Sequence, residues 1–160
     1  YDRRFLERRL PKVAIALKQR RFVERDMPIN SKALKIFGID GDNMALLTKV
    51  YQNPRVLAKT ELKIAKMAGL PFWSVLLLPV ADPQRFVPQD IKIITKGGLD
   101  SLKEIRPNHF DAMEETAQSY ASVKIAVFPE FRDAIVKPSI AQELAMFLIK
   151  NAKEIAKTSD

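Results

Sequence analysis

The sequence predicts an α/β or α+β fold: a small mixed sheet packed by helices, with a basic helical arm at its N-terminus. Three observations lead there. Apolar or alternating runs of strand type recur at 72–78, 91–95 and 122–128, with helix-type segments between and after them. Hydrophobic residues make up 47% of the 160, enough to fill one core, so no disulfide or structural metal is needed. Residues 1–25 hold nine Lys/Arg against three acids, so this segment carries +6 of the chain's net +8. The sequence is therefore divided into a basic arm over 1–28 and a single globular domain over 29–160.

Taken in order, residues 3–10 and 12–25 are expected to be helical, interrupted or initiated at Pro11. Val13, Ile15, Leu17, Phe22 and Val23 lie among the basic residues without forming one stripe, as in an arm that orders on a partner. Met27-Pro28-Ile29-Asn30 is a break, 31–37 has no decisive pattern, and Gly38 to Asn43 is a turn. A short helix over 44–52 precedes the best-delimited element. There Asn53 is the N-cap, Pro54 the first helical residue, and Gly69 the C-terminal cap with Pro71 beyond it. Leu57, Ile64 and Ala68 mark that helix's inner face, with Leu62 and Ala65 beside them.

Phe72 to Leu78 is a continuous apolar run, expected as a buried strand with Phe72 and Trp73 in the core. A proline-rich loop over 80–89 leads to a strand at 91–95 and a glycine turn at Gly97-Gly98. A short helix over 99–105 and a longer one over 111–121 follow. Val123, Ile125 and Val127 alternate along the next strand. Pro138 and Ser139 open the last helix, and Ser139 with Gln142 three residues on forms a capping-box pattern that helps fix its start. Lys150, Lys153 and Lys157 near its end complement the helix dipole.

Catalytic and metal chemistry find little to work with. With no cysteine and one histidine, thiolate-ligated zinc and iron–sulfur clusters are excluded, and a serine hydrolase would depend on His109 alone. His109 follows Pro107 and Asn108 and is assigned a surface or capping role. Asp40-Gly41-Asp42-Asn43 resembles the start of a calcium loop, but the twelfth position, where a glutamate is required, is Tyr51. Gly97-Gly98 lacks the spacing of a phosphate loop. Glu114 and Glu115 are adjacent on a helix and point apart, toward solvent. No enzymatic activity and no cofactor are expected. No apolar run approaches the ~20 residues of a membrane helix. No apolar stretch follows Tyr1-Asp2-Arg3-Arg4, so a secretory signal is not expected there.

The charge indicates what is bound. Arg outnumbers Lys seven to two in the first 25 residues, and the forked guanidinium suits phosphate contact and base stacking. Arg3, Arg4, Arg8, Arg9, Lys12, Lys18, Arg20, Arg21 and Arg25 are the candidate RNA-contacting residues, with Lys96 beside the glycine turn.

From Ile91 onward the chain resembles the K-homology RNA-binding module of the third small-subunit ribosomal protein family, in its bacterial and organellar versions. The match is carried by the strand Val123-Lys124-Ile125-Ala126-Val127, the link Phe128-Pro129-Glu130-Phe131-Arg132-Asp133-Ala134-Ile135-Val136, and Ile140-Ala141-Gln142-Glu143-Leu144. The family's backbone-clamping Gly-x-x-Gly loop is replaced by Lys96-Gly97-Gly98-Leu99-Asp100-Ser101. The family's Arg-rich run in the last helix is replaced by Ala145-Met146-Phe147-Leu148. The resemblance implies an intracellular, non-catalytic ribosomal subunit, in the mitochondrial matrix or the cytoplasm, contacting ribosomal RNA and neighbouring proteins. The competing expectation is a basic subunit of a respiratory or viral assembly without nucleic acid, its arm lying on an acidic partner or an anionic membrane surface.

Overall fold

The computed structural model describes residues 10–23, 34–80 and 91–158, which fall into two units: one from residues 1–80 and 122–160, the other from residues 81–121. The fold is mixed α+β, with a four-stranded sheet, a two-stranded sheet and helices packed on the larger one. In the first unit the elements are β1 (Lys12–Gln19), α1 (Arg20–Val23), β2 (Lys35–Ile39), α2 (Gly41–Val50), α3 (Pro54–Ala68), β3 (Val75–Leu78), β6 (Ser122–Val127), α6 (Arg132–Ile135) and α7 (Pro138–Thr158). The second unit holds β4 (Lys92–Thr95), β5 (Gly98–Ser101), α4 (Leu102–Ile105) and α5 (Pro107–Tyr120).

The larger sheet runs β2-β1-β6-β3, with β1 parallel to β2 and antiparallel to β6, which is in turn antiparallel to β3. Registered pairs place Ile15 opposite Ile125, Leu17 opposite Val123, Val75 opposite Val127 and Leu77 opposite Ile125. These side chains share one face and form the centre of the core, none more than 3% exposed. The other face carries smaller side chains, Ala16, Ala126 and Ser122, with Lys18 and Lys124 among them and Leu76 and Leu78 at its edge.

The helical expectation for 12–25 is thus corrected. Residues 12–19 form β1, a strand inside the sheet, and of the described residues in that span only 20–23 are helical, 24 and 25 lying outside them. The physical reason is burial on both sides: Val13 to Leu17 is a continuous apolar run, as a central strand requires, and a one-sided stripe would be out of place there. A register shift between Val13 and Ile15 accommodates Ala14 as an extra residue. The expected turn at 38–43 is likewise replaced by the end of β2 and the start of α2. Asp40 is the N-cap, its Oδ1 accepting from the Asn43 amide at 2.7 Å.

The helix after Asn53 forms as its caps dictate. Asn53 Oδ1 accepts from the Arg55 amide at 3.0 Å, and Gly69 ends α3 at φ 67°, a left-handed conformation that glycine adopts without Cβ strain. Leu62, placed beside the buried side by its spacing, is instead 52% exposed, while Thr60, Ile64 and Ala65 are buried. The run 72–78 splits into a 3-10 turn over Phe72–Ser74 and β3 over the last four residues. Phe72 lies outside the core at 70% exposure, and Trp73 is partly exposed, packed edge-on against Phe128 and Phe131. The last helix begins at Pro138, where the sequence placed its opening; Ser139 lies in its first turn, so the capping-box residue is inside the helix and is not its cap.

In the second unit, Gly97-Gly98 turns the chain into β5, where a helix from 99 was expected. Ile94 pairs with Leu99 and Thr95 with Gly98, and the helix begins at Leu102. The strands expected at 91–95 and 122–128 both form, in different sheets. His109 is exposed in the first turn of α5, where its amide donates to the Arg106 carbonyl at 3.1 Å.

Candidate nucleic-acid interface

The carboxyl ends of β1 and β2, which are adjacent and parallel, bring together residues from two distant parts of the sequence. Gln19, Arg20 and Arg21 leave β1, while Ile39, Asp40 and Gly41 leave β2 and enter α2. Together they line an open pocket of about 370 Å³. The end of parallel strands is where ligands commonly meet such sheets, because the loops diverge there and helix amide groups point outward.

Each polar group in the pocket has a defined setting. Arg21 is held from two sides: its Nε donates to Gln19 Oε1 at 3.0 Å, and its guanidinium carbon sits 4.5 Å from the centre of the Phe22 ring. Phe22 is buried, so the stacked guanidinium is anchored to the core. Arg20 is exposed beside it, its Cα and Cγ close over Gly38 of β2. Asp40 is the pocket's acid. The Asn43 amide donating to its carboxylate keeps it below the usual carboxylate range, so it is ionised at neutral pH. Asn43 Nδ2 also donates to its other oxygen at 2.7 Å.

Of the ten residues expected to contact RNA, the fold places three at or beside this pocket: Lys18, Arg20 and Arg21. Lys18 lies on β1 opposite Gly38. Its diagonal neighbour across β6 on the same face is Lys124, about 7–8 Å away for such a pair. Lys12 is exposed at the opposite end of β1. Lys96 is exposed in the β4–β5 turn of the second unit. Arg3, Arg4, Arg8, Arg9 and Arg25 lie outside the described residues.

Sequence reasoning missed Gln19, Asp40, Gly41 and Lys124. Asp40 and Gly41 carried a signal, an acid followed three residues later by Asn43, which is an N-cap pattern as well as a turn pattern. Gln19 is Arg20's neighbour in sequence but is uncharged and so gave no charge signal, and Lys124 comes near Lys18 only through strand pairing.

Charge divides between the two units. Residues 81–121 hold five Lys/Arg against seven acids, a net −2, and the rest of the chain therefore carries +10. Among the described residues no cluster of three or more His, Cys, Asp or Glu is placed to hold a metal ion. Among them, too, no helix is long and apolar enough to cross a membrane. No protein-family model matches the chain, and neither curated proteins nor solved structures give a match.

Proposed function

We propose that the chain is a structural, non-catalytic RNA-binding subunit of a ribonucleoprotein such as a cytoplasmic or mitochondrial ribosome. The observation that carries this reading is the pairing of Arg20 and Arg21 at the open pocket where β1 and β2 end. Both arginines line the same pocket, and the guanidinium group is a forked donor suited to phosphate oxygens. The Asp40 carboxylate in the same pocket offers an acceptor, and a ribose 2′-hydroxyl is a donor that DNA lacks. A pocket with both signs of charge suits a ribose-phosphate better than a bare anion. The +10 of the unit that holds it supplies the long-range attraction to a polyanion.

Removing residues 1–25 is not a clean test, because it deletes β1 from the middle of the sheet. The full-length chain is compared instead with Arg20→Gln/Arg21→Gln, measuring affinity for a structured RNA over a series of salt concentrations. The wild type should bind tightly with steep salt dependence. The double variant should lose roughly 0.7–0.9 of log–log slope per phosphate contact removed. Equal affinity and slope for both proteins would remove the pocket from the interface. Weak, salt-insensitive binding by the wild type would overturn the RNA reading in favour of a protein assembly.

A further inference from the structure

Helix α3 carries a second basic surface, on an element remote in sequence from the N-terminal cluster. Arg55, Lys59, Leu62 and Lys66 follow spacings of four, three and four residues, so they fall along one face, and all four are exposed. The opposite face buries Thr60, Ile64 and Ala65. Lys63, at the margin of the stripe, is tethered through Nζ to Asn151 Oδ1 at 3.1 Å. At ~1.5 Å per residue the ridge from Arg55 to Lys66 is about 17 Å long.

Acids are nearly absent from this stretch. Between Asp42 and Asp82 the only acidic residue is Glu61, set against five Lys/Arg. Glu61 is turned inward to the sheet, where its Oε1 accepts from the Leu77 amide of β3 at 2.8 Å. Nothing acidic on α3 therefore offsets the ridge. A soluble helix face usually mixes signs for i, i+4 pairing, and this one does not.

We propose that the Arg55–Lys59–Lys66 ridge of α3 is a second RNA-contacting surface, and that it docks on the sugar-phosphate backbone of double-helical RNA. This rests on the RNA-binding reading and extends it to a site and a class of RNA. The chemistry favours a duplex backbone over unpaired bases. The ridge places its cations four and seven residues apart, about 6 and 10 Å at ~1.5 Å per residue, along one face of a capped helix, so that several can meet one phosphate backbone together. It has no aromatic residue on which a base would stack and no Asn or Gln to read a base edge. A-form RNA is recognised mainly through its shape and backbone, which such a ridge can follow.

The test uses the full chain with a short RNA duplex and a single-stranded RNA of the same length, each titrated with salt. The variants are Arg55→Gln/Lys59→Gln/Lys66→Gln and the charge-preserving Lys59→Arg/Lys66→Arg. All three positions are exposed, so the thermal melt should be unchanged, which separates lost contacts from lost fold. The triple variant should weaken duplex binding roughly tenfold or more at low salt and flatten the log–log slope by about 2–3, at ~0.9 per phosphate contact. The arginine variant should bind as the wild type does. A triple variant with wild-type duplex affinity and slope would overturn the ridge proposal. If Arg20→Gln/Arg21→Gln still lost binding in that case, the RNA reading would stand without it. Equal losses on duplex and single strand would overturn the assignment to double-helical RNA. A wild-type chain that binds neither RNA would overturn both readings together.

Discussion

Asn151 of α7 and Tyr51, the residue that ends α2, meet inside the first unit through a hydrogen bond from Asn151 Nδ2 to Tyr51 Oη at 3.3 Å. Each is fully engaged beyond that contact. Tyr51 Oη donates to the Leu148 carbonyl at 2.9 Å, and Asn151 Nδ2 also donates to Thr60 Oγ1 at 3.2 Å. Asn151 Oδ1 accepts from Lys63 Nζ. One buried amide thereby ties α2, α3 and α7 together, and it fixes the azimuth of α3 that turns the basic ridge outward.

Replacing Asn151 with Ala should therefore cost more than its size suggests. The substitution leaves the Lys63 ammonium without this acceptor and removes a donor from both Tyr51 and Thr60. Stranding buried polar groups costs ~1–3 kcal/mol, and Leu at this position should be no better, since it supplies neither donor nor acceptor. Thermal unfolding measures the loss. A melting temperature equal to wild type in both variants would mean that the network does not hold the helices in place.

Alkaline pH gives an independent view of the same cluster. Burial raises the Tyr51 phenol above its ordinary value near 10, and the hydrogen bonds from Asn151 and Thr60 only partly oppose this. In the unfolded chain the phenol ionises near that ordinary value. Between the two values the unfolded state has lost a proton that the folded state keeps, so stability falls as pH rises above about 10. The Tyr51→Phe variant should show a shallower alkaline fall than wild type, which isolates this group from the lysines. In an ultraviolet titration of tyrosinate, one of the three tyrosines should ionise late, and that late phase should vanish in Tyr51→Phe. A late phase that persists would assign it to another tyrosine.

These relationships differ in how visible they are in the sequence. Helix α3 was legible to the residue because its limits are local: Asn53, Pro54 and Gly69 act on neighbouring amides and carbonyls. Strand β6 was legible from the alternation of Val123, Ile125 and Val127. Strand β1 was not, because burial on both faces erases alternation, and its flanking Lys and Arg imitate a polar helix face. The arginines of the pocket were visible as charge, whereas their grouping with Asp40 and Gly41 depends on parallel pairing of β1 with β2 across a long connection. The ridge on α3 was present in the spacing of residues 55, 59, 62 and 66. Reading it required knowing that Leu62 faces water, which the apolar identity of Leu62 argued against.

At the far edge of the sheet, Glu61 has a role that its charge conceals. Among the described residues β3 pairs with β6 alone, and the Leu77 amide donates to Glu61 Oε1 instead of to a strand. Unpaired edge amides invite another strand, and a side-chain acceptor from α3 blocks that pairing here. Glu61→Ala should destabilise the fold by about 1–2 kcal/mol and increase self-association, whereas Glu61→Gln keeps a carbonyl oxygen and should stay close to wild type. Unfolding midpoints and sedimentation of the three proteins make the comparison. If Ala and Gln behave alike in both assays, the Leu77 contact carries no weight.

Gly38 links the backbone of the sheet directly to the proposed RNA pocket. It sits in β2 opposite Lys18, and a Cβ added there would lie 3.2 Å from Arg20 Cα and 3.3 Å from Arg20 Cγ. The first of these atoms is backbone, so relief requires moving the junction of β1 and α1 as well as rotating a side chain. Gly38→Ala should thus cost ~1–2 kcal/mol of stability through overpacking and should also weaken RNA binding, although residue 38 itself carries no charge. Adding Arg20→Ala removes the contact at Cγ but leaves the one at Cα, so the double variant should recover only part of the stability and none of the affinity. The decisive comparison is salt-dependent RNA binding by Gly38→Ala. Wild-type affinity with a lowered melting temperature would show that Arg20 tolerates displacement, and would place the phosphate contacts on Arg21 and the α3 ridge.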